Sequence, residues 1–381
     1  MKIIHTSDWH IGHSFFDFER YEEHARALAQ LSDIVAAEQP DALLVSGDIF
    51  HSYTPSSRAR RLFVDAIEEI HQRSTRTHII VTAGNHDNAA YHEVFSTPWR
   101  KAGVHTIGLY TGEVDSLIIE IPGVGYVGAV PYVPARRMNG LYERVMARIA
   151  ELNTAALPVV LMGHLAVSGC QSTGHDDDGA TIGNIDCCTP DILSTGYDYV
   201  ALGHIHKPQT FEGMSVRYSG SLLPVSFDET WLHTVSIVDI PTHGADISIR
   251  EAVIEPMYDV LTIEGAWTEV YEKLREIDVR RNCYIRLKVS QEDALPYNAD
   301  FFARQECDGV HKRFCTMQYE HVARRSEYKP VNTMDIDAFS AATPLEIATR
   351  YADMRGFVFD NDMAAMLESV LDKIEQEDRN Q

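Results

Sequence analysis

The stretch Tyr199–Pro208, YVALGHIHKP, decides how the chain is read. Four apolar residues, Tyr199, Val200, Ala201 and Leu202, stop at Gly203, and two histidines follow, His204 and His206. A continuous apolar run fits a strand buried on both faces, where an alternating one would fit a strand with one wet face. Two imidazoles at the tip of such a strand need partners, and four other runs end in the same way. KIIHTSDWH leads to Asp8 and His10. DALLVSGDIFH leads through Gly47 to Asp48 and His51. HIIVTAGNHD leads through Gly84 to Asn85, His86 and Asp87, and PVVLMGHL ends at Gly163 and His164.

Helical patterns lie between these runs. Tyr21–Glu38 carries Ala25, Leu28, Leu31, Ile34 and Val35 at helical spacing and stops before Pro40. Arg58–Gln72 carries Leu62, Phe63, Ala66, Ile67 and Ile70, and Leu141–Leu152 is a third such segment. Alternation of strand and helix predicts an α/β layered core. Ligands in such sheets gather at the carboxyl ends of strands, so five polar tips predict one shared site. Alternating runs such as HTVSIVDI, between about Ser215 and Ile254, predict further strands that complete a first domain over residues 1–254.

Residues 255–330 mix strand patterns, YDVLTI and CYIRLKV, with a helix from Trp267 to Ile277, as in a small α+β domain. Residues 331–381 read as helices. Thr343-Pro344-Leu345-Glu346 has capping-box form with proline at the first helical position, and Gly356 is a stop. Beyond it, Met363, Met366, Leu367, Val370, Leu371 and Ile374 form an amphipathic stripe.

Composition limits the function classes. The 381 residues are 45% hydrophobic, enough for a large core. Six scattered cysteines without a C-x-x-C pair predict a reducing compartment and no disulfide framework. The N-terminus shows no secretory pattern and no apolar run approaches the roughly 20 residues of a membrane span, which predicts a cytoplasmic protein without a membrane partner. A net charge of −23 disfavours a bare Lys/Arg footprint for phosphates. The charge is uneven, however: Glu272–Lys329 is +2 and Val331–Gln381 is −7. Metal ions or a partner subunit would have to supply the missing positive charge.

The tips make a chemical set: Asp8, His10, Asp48, Asn85, His164, His204 and His206. Carboxylates, an amide oxygen and imidazoles, without a thiolate, suit Mn, Fe or Zn in a catalytic rather than a structural site. Seven groups are too many for one ion and fit two ions about 3.5–4 Å apart. The natural division gives one ion Asp8, His10 and His206 and the other Asn85, His164 and His204, with Asp48 bridging. Two divalent cations against two carboxylates leave a charge of about +2, suited to a phosphodiester, and a shared water would be acidified into a nucleophile. His86, next to a ligand, would stabilise the phosphoryl oxygens and protonate the leaving oxygen, with Asp87 orienting it. Each motif alone is ordinary: D-x-H and "GD" are common turn chemistry, and Asn and Gly are turn residues anyway. Their ordered recurrence after apolar runs is what carries weight. His175 is a rival to His164, while His5, His13, His24 and His71 read as packing or surface residues.

Asp8-x-His10, Gly47-Asp48-x-x-His51, Gly84-Asn85-His86-Asp87, Gly163-His164 and Gly203-His204-x-His206 resemble the signature of calcineurin-like metallophosphoesterases. TSDWHIG, SGDIFH, AGNHD, ALGHIHKPQ and YSGSLLPVSFDE look like the SbcD-type nuclease branch. That resemblance implies a layered β-sandwich core flanked by helices. It implies two Mn2+, with Mg2+ as a substitute, exonuclease action on double-stranded DNA ends and endonuclease action at hairpins or single strands. It also implies a partner, an SbcC-type ABC ATPase with a long coiled coil, and a nuclease homodimer within a heterotetramer. Generic phosphatases of the superfamily often carry Asp where this chain has His51; in the nuclease branch that His supports catalysis. Residues 255–330 would cap the site and hold DNA, and the C-terminal helices would dock on the partner's coiled coil. Asp176-Asp177-Asp178 and Cys187-Cys188 match nothing in the pattern. The competing readings are a two-metal phosphatase or nucleotide phosphodiesterase using the same site, and a scaffold that has lost catalysis.

Overall fold

A computed structural model describes residues 1–171, 188–278, 282–322, 342–355 and 359–378. His175, Asp176-Asp177-Asp178, Cys187 and Gly356 lie outside the described residues. Strand β1 (Lys2–Thr6) leads to a small hairpin, β2 (Ser14–Phe15) and β3 (Phe18–Glu19), and to helix α1 (Tyr21–Glu38). Then come β4 (Ala42–Ser46), α2 (Ser57–Arg73), β5 (His78–Thr82), α3 (Ala89–Arg100) and β6 (Val104–Ile107). The middle of the chain gives β7 (Ile118–Ile121), β8 (Gly125–Ala129), α4 (Ala135–Met138), α5 (Leu141–Leu152), β9 (Val159–His164) and β10 (Tyr199–Gly203). It continues through β11 (Gln209–Thr210), β12 (Val216–Tyr218), β13 (Thr234–Asp239) and β14 (Ser248–Val253).

These strands form two six-stranded sheets, ordered β14-β13-β1-β4-β5-β6 and β11-β12-β10-β9-β8-β7. The five apolar runs therefore divide three to two between sheets. The sequence does not announce this partition, because a strand buried on both faces looks the same in either sheet. The central strands β1, β4, β5 and β6 run parallel, as do β8, β9, β10 and β12, so all five tips point to one end.

Alternate residues explain the continuous runs. Ile3, Leu44 and Ile80 pack inward against Val127, Leu161 and Leu202 of the second sheet. Their neighbours Ile4, Leu43, Val45, Ile79 and Val81 pack outward against Leu28, Leu31 and Val35 of α1 and Phe63, Ile67 and Ile70 of α2. Helix α5 covers the second sheet with Leu141, Val145 and Ile149. At about 1.5–3 kcal/mol per fully buried large aliphatic side chain, these two apolar layers hold the strand ends in place.

Beyond β14, a three-stranded sheet comprises β15 (Asp259–Gly265), β16 (Cys283–Gln291) and β17 (Lys312–His321), with α6 (Trp267–Glu276) and α7 (Ala299–Gln305). Ile263, Val270, Leu274, Ile285 and Leu287 form its own core. A second cluster, Phe15, Phe227, Tyr258 and Tyr284, joins it to the hairpin and to the segment after β12. Met1–Glu320 makes one compact unit and His321–Gln381 another. In the latter, α8 (Pro344–Arg355) starts at the expected capping box: the Thr343 N–H donates to Glu346 Oε2 at 2.8 Å and the Glu346 N–H to Thr343 Oγ1 at 3.3 Å. Helix α9 (Asn361–Asp378) follows and leaves Met363, Met366 and Val370 exposed. No helix among the described residues is long and apolar enough to cross a membrane.

Candidate metal centre

The loops after β1 and β4 run side by side. The Asp8 N–H donates to Gly47 O at 3.0 Å, His10 N–H to Asp48 O at 3.0 Å and Ile11 N–H to Ile49 O at 2.9 Å. Asp8, His10, Asp48 and His204 all sit at positive φ, at 51°, 45°, 51° and 96°. Non-glycine residues in that region cost on the order of 1–3 kcal/mol each, and such strain gathers at functional sites. Two glycines admit the close approach: a Cβ on Gly84 would lie 2.1 Å from Asp48 Oδ1, and one on Gly203 would lie 1.8 Å from Ser46 O.

Seven predicted ligands converge across the two sheets. Asp8, His10 and His206 form one group and Asp48, His164 and His204 another, with the ligand atoms of each within 4.8 Å of one another. Asn85 joins the second group, its Oδ1 2.9 Å from His164 Nε2 and 3.1 Å from His204 Nδ1. Asp48 lies between the groups, with Oδ2 3.8 Å from His10 Nε2 and 3.4 Å from His164 Nε2. Cross-sheet bonds fix the rings: His164 Nδ1 faces the carbonyl of Ser46 at 2.8 Å, and the His204 N–H donates to Asp8 Oδ1 at 3.0 Å.

The pocket attracts positive charge. Burial pushes His164 down, but the charge and hydrogen bond of Asp48, with Asp8 behind, raise it to about 9. Burial likewise opposes protonation of His206, yet the charge and hydrogen bond of Glu229, with Asp8 and Asp48, raise it. Burial, against the pull of Asp48, holds His10 well below the usual imidazole range. His10 Nε2 and His206 Nε2 face each other at 3.1 Å. Buried imidazole nitrogens, carboxylates and an amide oxygen aimed into one small space fit divalent cations of the Mn, Fe or Zn type.

His86 and His51 stand beside the His10 side of the centre, and the nitrogens of all three fall within the same 4.8 Å limit. His86 Nδ1 donates to the carbonyl of His51 at 3.0 Å, and the two rings stack at 5.8 Å. That carbonyl holds the His86 ring. The carboxylate of Asp87 accepts the N–H groups of Gly84 at 2.8 Å, Ile49 at 3.1 Å and Phe50 at 2.9 Å. Asp87, expected to orient His86, fastens the loops after β4 and β5 together. Its two oxygens are the local acceptors for three otherwise orphaned donors, and a buried unmet N–H is costly.

One buried group was missed from the sequence. Glu229, at the end of the quoted stretch YSGSLLPVSFDE, accepts from His206 Nδ1 at 2.9 Å and from Ser221 Oγ at 3.0 Å. Of the histidines read as packing residues, His5 is buried with Nδ1 2.9 Å from the hydroxyl of Tyr199, and His24 is buried against the carbonyl of Arg20 at 3.0 Å.

The family model of the calcineurin-like phosphoesterases matches residues 1–208, the span that carries all the metal-site tips. Three curated relatives are each named as the D subunit of the nuclease SbcCD. The one from Rhodobacter capsulatus is 32% identical over 274 residues, 63% of this chain and just under two thirds (66%) of its own length. The one from Bacillus subtilis is 30% identical over 362 residues, 88% of this chain and 91% of the relative. The one from Escherichia coli is 27% identical over 323 residues, 77% of this chain and 79% of the relative. The chain belongs to the calcineurin-like phosphoesterases and, among them, to the family of SbcD nucleases. Membership makes it a metal-dependent phosphodiesterase.

Proposed function

We propose that this chain is the nuclease subunit of an SbcCD-type complex, a two-metal phosphodiesterase that cuts DNA at double-strand ends and at hairpins or single strands. The convergence of two ligand groups on opposite sides of Asp48 carries this reading. Asp8, His10 and His206 would hold one ion, Asn85, His164 and His204 the other, and Asp48 both. Two Mn2+, with Mg2+ as substitute, would supply the Lewis acidity and nucleophilic water that this acidic chain cannot supply with lysines and arginines. With Nδ1–H given to the His51 carbonyl, His86 would offer Nε2 to a phosphoryl oxygen or the leaving oxygen; His51 supports it from the adjacent loop.

The names of the relatives make each of them part of a complex, and we extend that to a partner here: an SbcC-type ATPase gripped by the C-terminal helices through Met363, Met366 and Val370. We assign residues 1–254 to the nuclease domain, 255–330 to a DNA-holding cap and 331–381 to partner binding, in a cytoplasmic homodimer. A phosphatase reading would use the same ions but is not favoured by the relatives. The test is cleavage of linear duplex and hairpin DNA with Mn2+, against p-nitrophenyl phosphate. DNA cleavage abolished by chelation and restored by Mn2+ supports the proposal; turnover of the monoester alone overturns it.

A further inference from the structure

The segment after β12 touches both the metal centre and the three-stranded sheet through consecutive residues. Phe227 packs its ring on Phe15 at 5.0 Å and Phe16 at 5.6 Å, and lies under the guanidinium of Arg286 at 4.9 Å. Arg286, on β16, donates Nη2 to Asp228 Oδ1 at 2.6 Å and Nε to Thr262 Oγ1 on β15 at 3.1 Å. The next residue, Glu229, is 1% exposed and binds His206 Nδ1. Ser221 closes the far side: its hydroxyl donates to Glu229 Oε2, and its N–H donates to the carbonyl of His206 at 3.0 Å.

We propose that Glu229 is the positioning residue of the Asp8–His10–His206 ion site, and that the Asp228–Arg286 ion pair ties it to the three-stranded sheet. The inference rests on the two-ion reading above. A carboxylate only accepts, so in neutral His206 it keeps the proton on Nδ1 and leaves the Nε2 lone pair facing His10 and the ion. Outer partners of this kind fix the ring of a ligating histidine and raise its basicity. Because Asp228 and Glu229 share one peptide bond, a displacement of β16 that pulls on Asp228 also moves the carboxylate behind His206. The sheet that lies over the hairpin thereby acquires a direct grip on one of the two ion sites.

The experiment is Mn2+ titration of the full-length chain, by calorimetry or by the electron paramagnetic resonance of free Mn2+, with circular dichroism as a check on folding. The wild type binds two ions. Glu229→Ala binds one of them about 10–100-fold more weakly and the other unchanged. Glu229→Gln, whose amide oxygen still accepts from Nδ1, recovers most of that loss. Asp228→Asn, at a half-exposed side chain that leaves folding intact, weakens the same single site by a smaller factor, about 3–10-fold on the same scale. Two ions in the wild type with unchanged binding in a folded Glu229→Ala overturn the inference alone, as does equal weakening of both sites. Should Glu229→Ala fail to fold, Asp228→Asn decides: a shift confined to one site supports the link, and none overturns it. A wild type that takes up one ion overturns the two-ion reading and this inference with it.

Discussion

In the loop after β1, Asp8 and His10 are buried, and their backbone N–H groups are tied to the neighbouring loop at 3.0 Å each. On α9, Met363, Met366 and Val370 are 45%, 72% and 48% exposed. The first region hides polar groups and ties their backbone to a neighbouring loop, with Asp8 and His10 both held at positive φ. The second presents apolar groups to water. Chemistry requires groups held before the substrate arrives; association requires a surface left incomplete until a partner arrives.

The sharpest way to break this contrast is at the centre. Asp48→Ala, which removes the group between the two ion sites, should lower DNA cleavage by on the order of 10³-fold or more, since metal charge stabilisation is worth several kcal/mol at about 1.4 kcal/mol per tenfold. Metal analysis should show fewer than two bound ions; full occupancy with normal cleavage would refute the bridging assignment. His86→Ala should slow cleavage about 10²–10⁴-fold while both ions stay bound. Loss of metal in that variant would make His86 a ligand instead.

The other half of the contrast is tested by removing residues 342–381. Co-purification with the ATPase partner should disappear, whereas Mn2+-dependent cleavage of a short duplex should stay within about twofold, the range of changes that leave the reacting groups untouched. Retained co-purification would move the docking surface elsewhere. The smallest effect concerns stability. Burial, with Arg217 behind it, lowers His5 to about 3. A histidine depressed in the folded state contributes stability that is present above its unfolded value near 6.5 and lost as pH falls toward the folded value. Between pH 6.5 and 4.5 the unfolding free energy of the wild type should therefore fall more steeply than that of His5→Gln, by up to about 1.4 kcal/mol per pH unit. Parallel urea-derived profiles would show that His5 titrates freely.

How much of this was legible in the sequence depends on what each feature needs. The strand tips were readable because each couples two local signals, an apolar run and a polar stop. The helix over Tyr21–Glu38 was readable to its ends, since periodicity and Pro40 bound it. β17 went unnoticed, because KRFCTMQYEH mixes charge, sulfur and aromatic residues without a clean alternation. The division of the runs into two sheets was hidden, because Ile3 and Ile4 are equally apolar and only packing sends them to different layers. Glu229 was hidden for a different reason. It stands in a loop 23 residues from His206, and its meaning arises from a contact that no period encodes. The hold of Asp87 on the neighbouring loop was hidden too, because the backbone donors that reach its oxygens come mostly from that loop.

The 1.8 Å between a would-be Cβ of Gly203 and the carbonyl of Ser46 has a wider consequence. Ser46 ends a strand of one sheet and Gly203 a strand of the other, so the molecule is pinched there to the thickness of bare backbone. Each of the two ligand groups draws side chains from both sheets, so the space its atoms enclose depends on how closely the two halves meet there. Any change that thickens that pinch by one methyl group would spread apart the side chains that the two sheets bring to each group, however intact each of them remained.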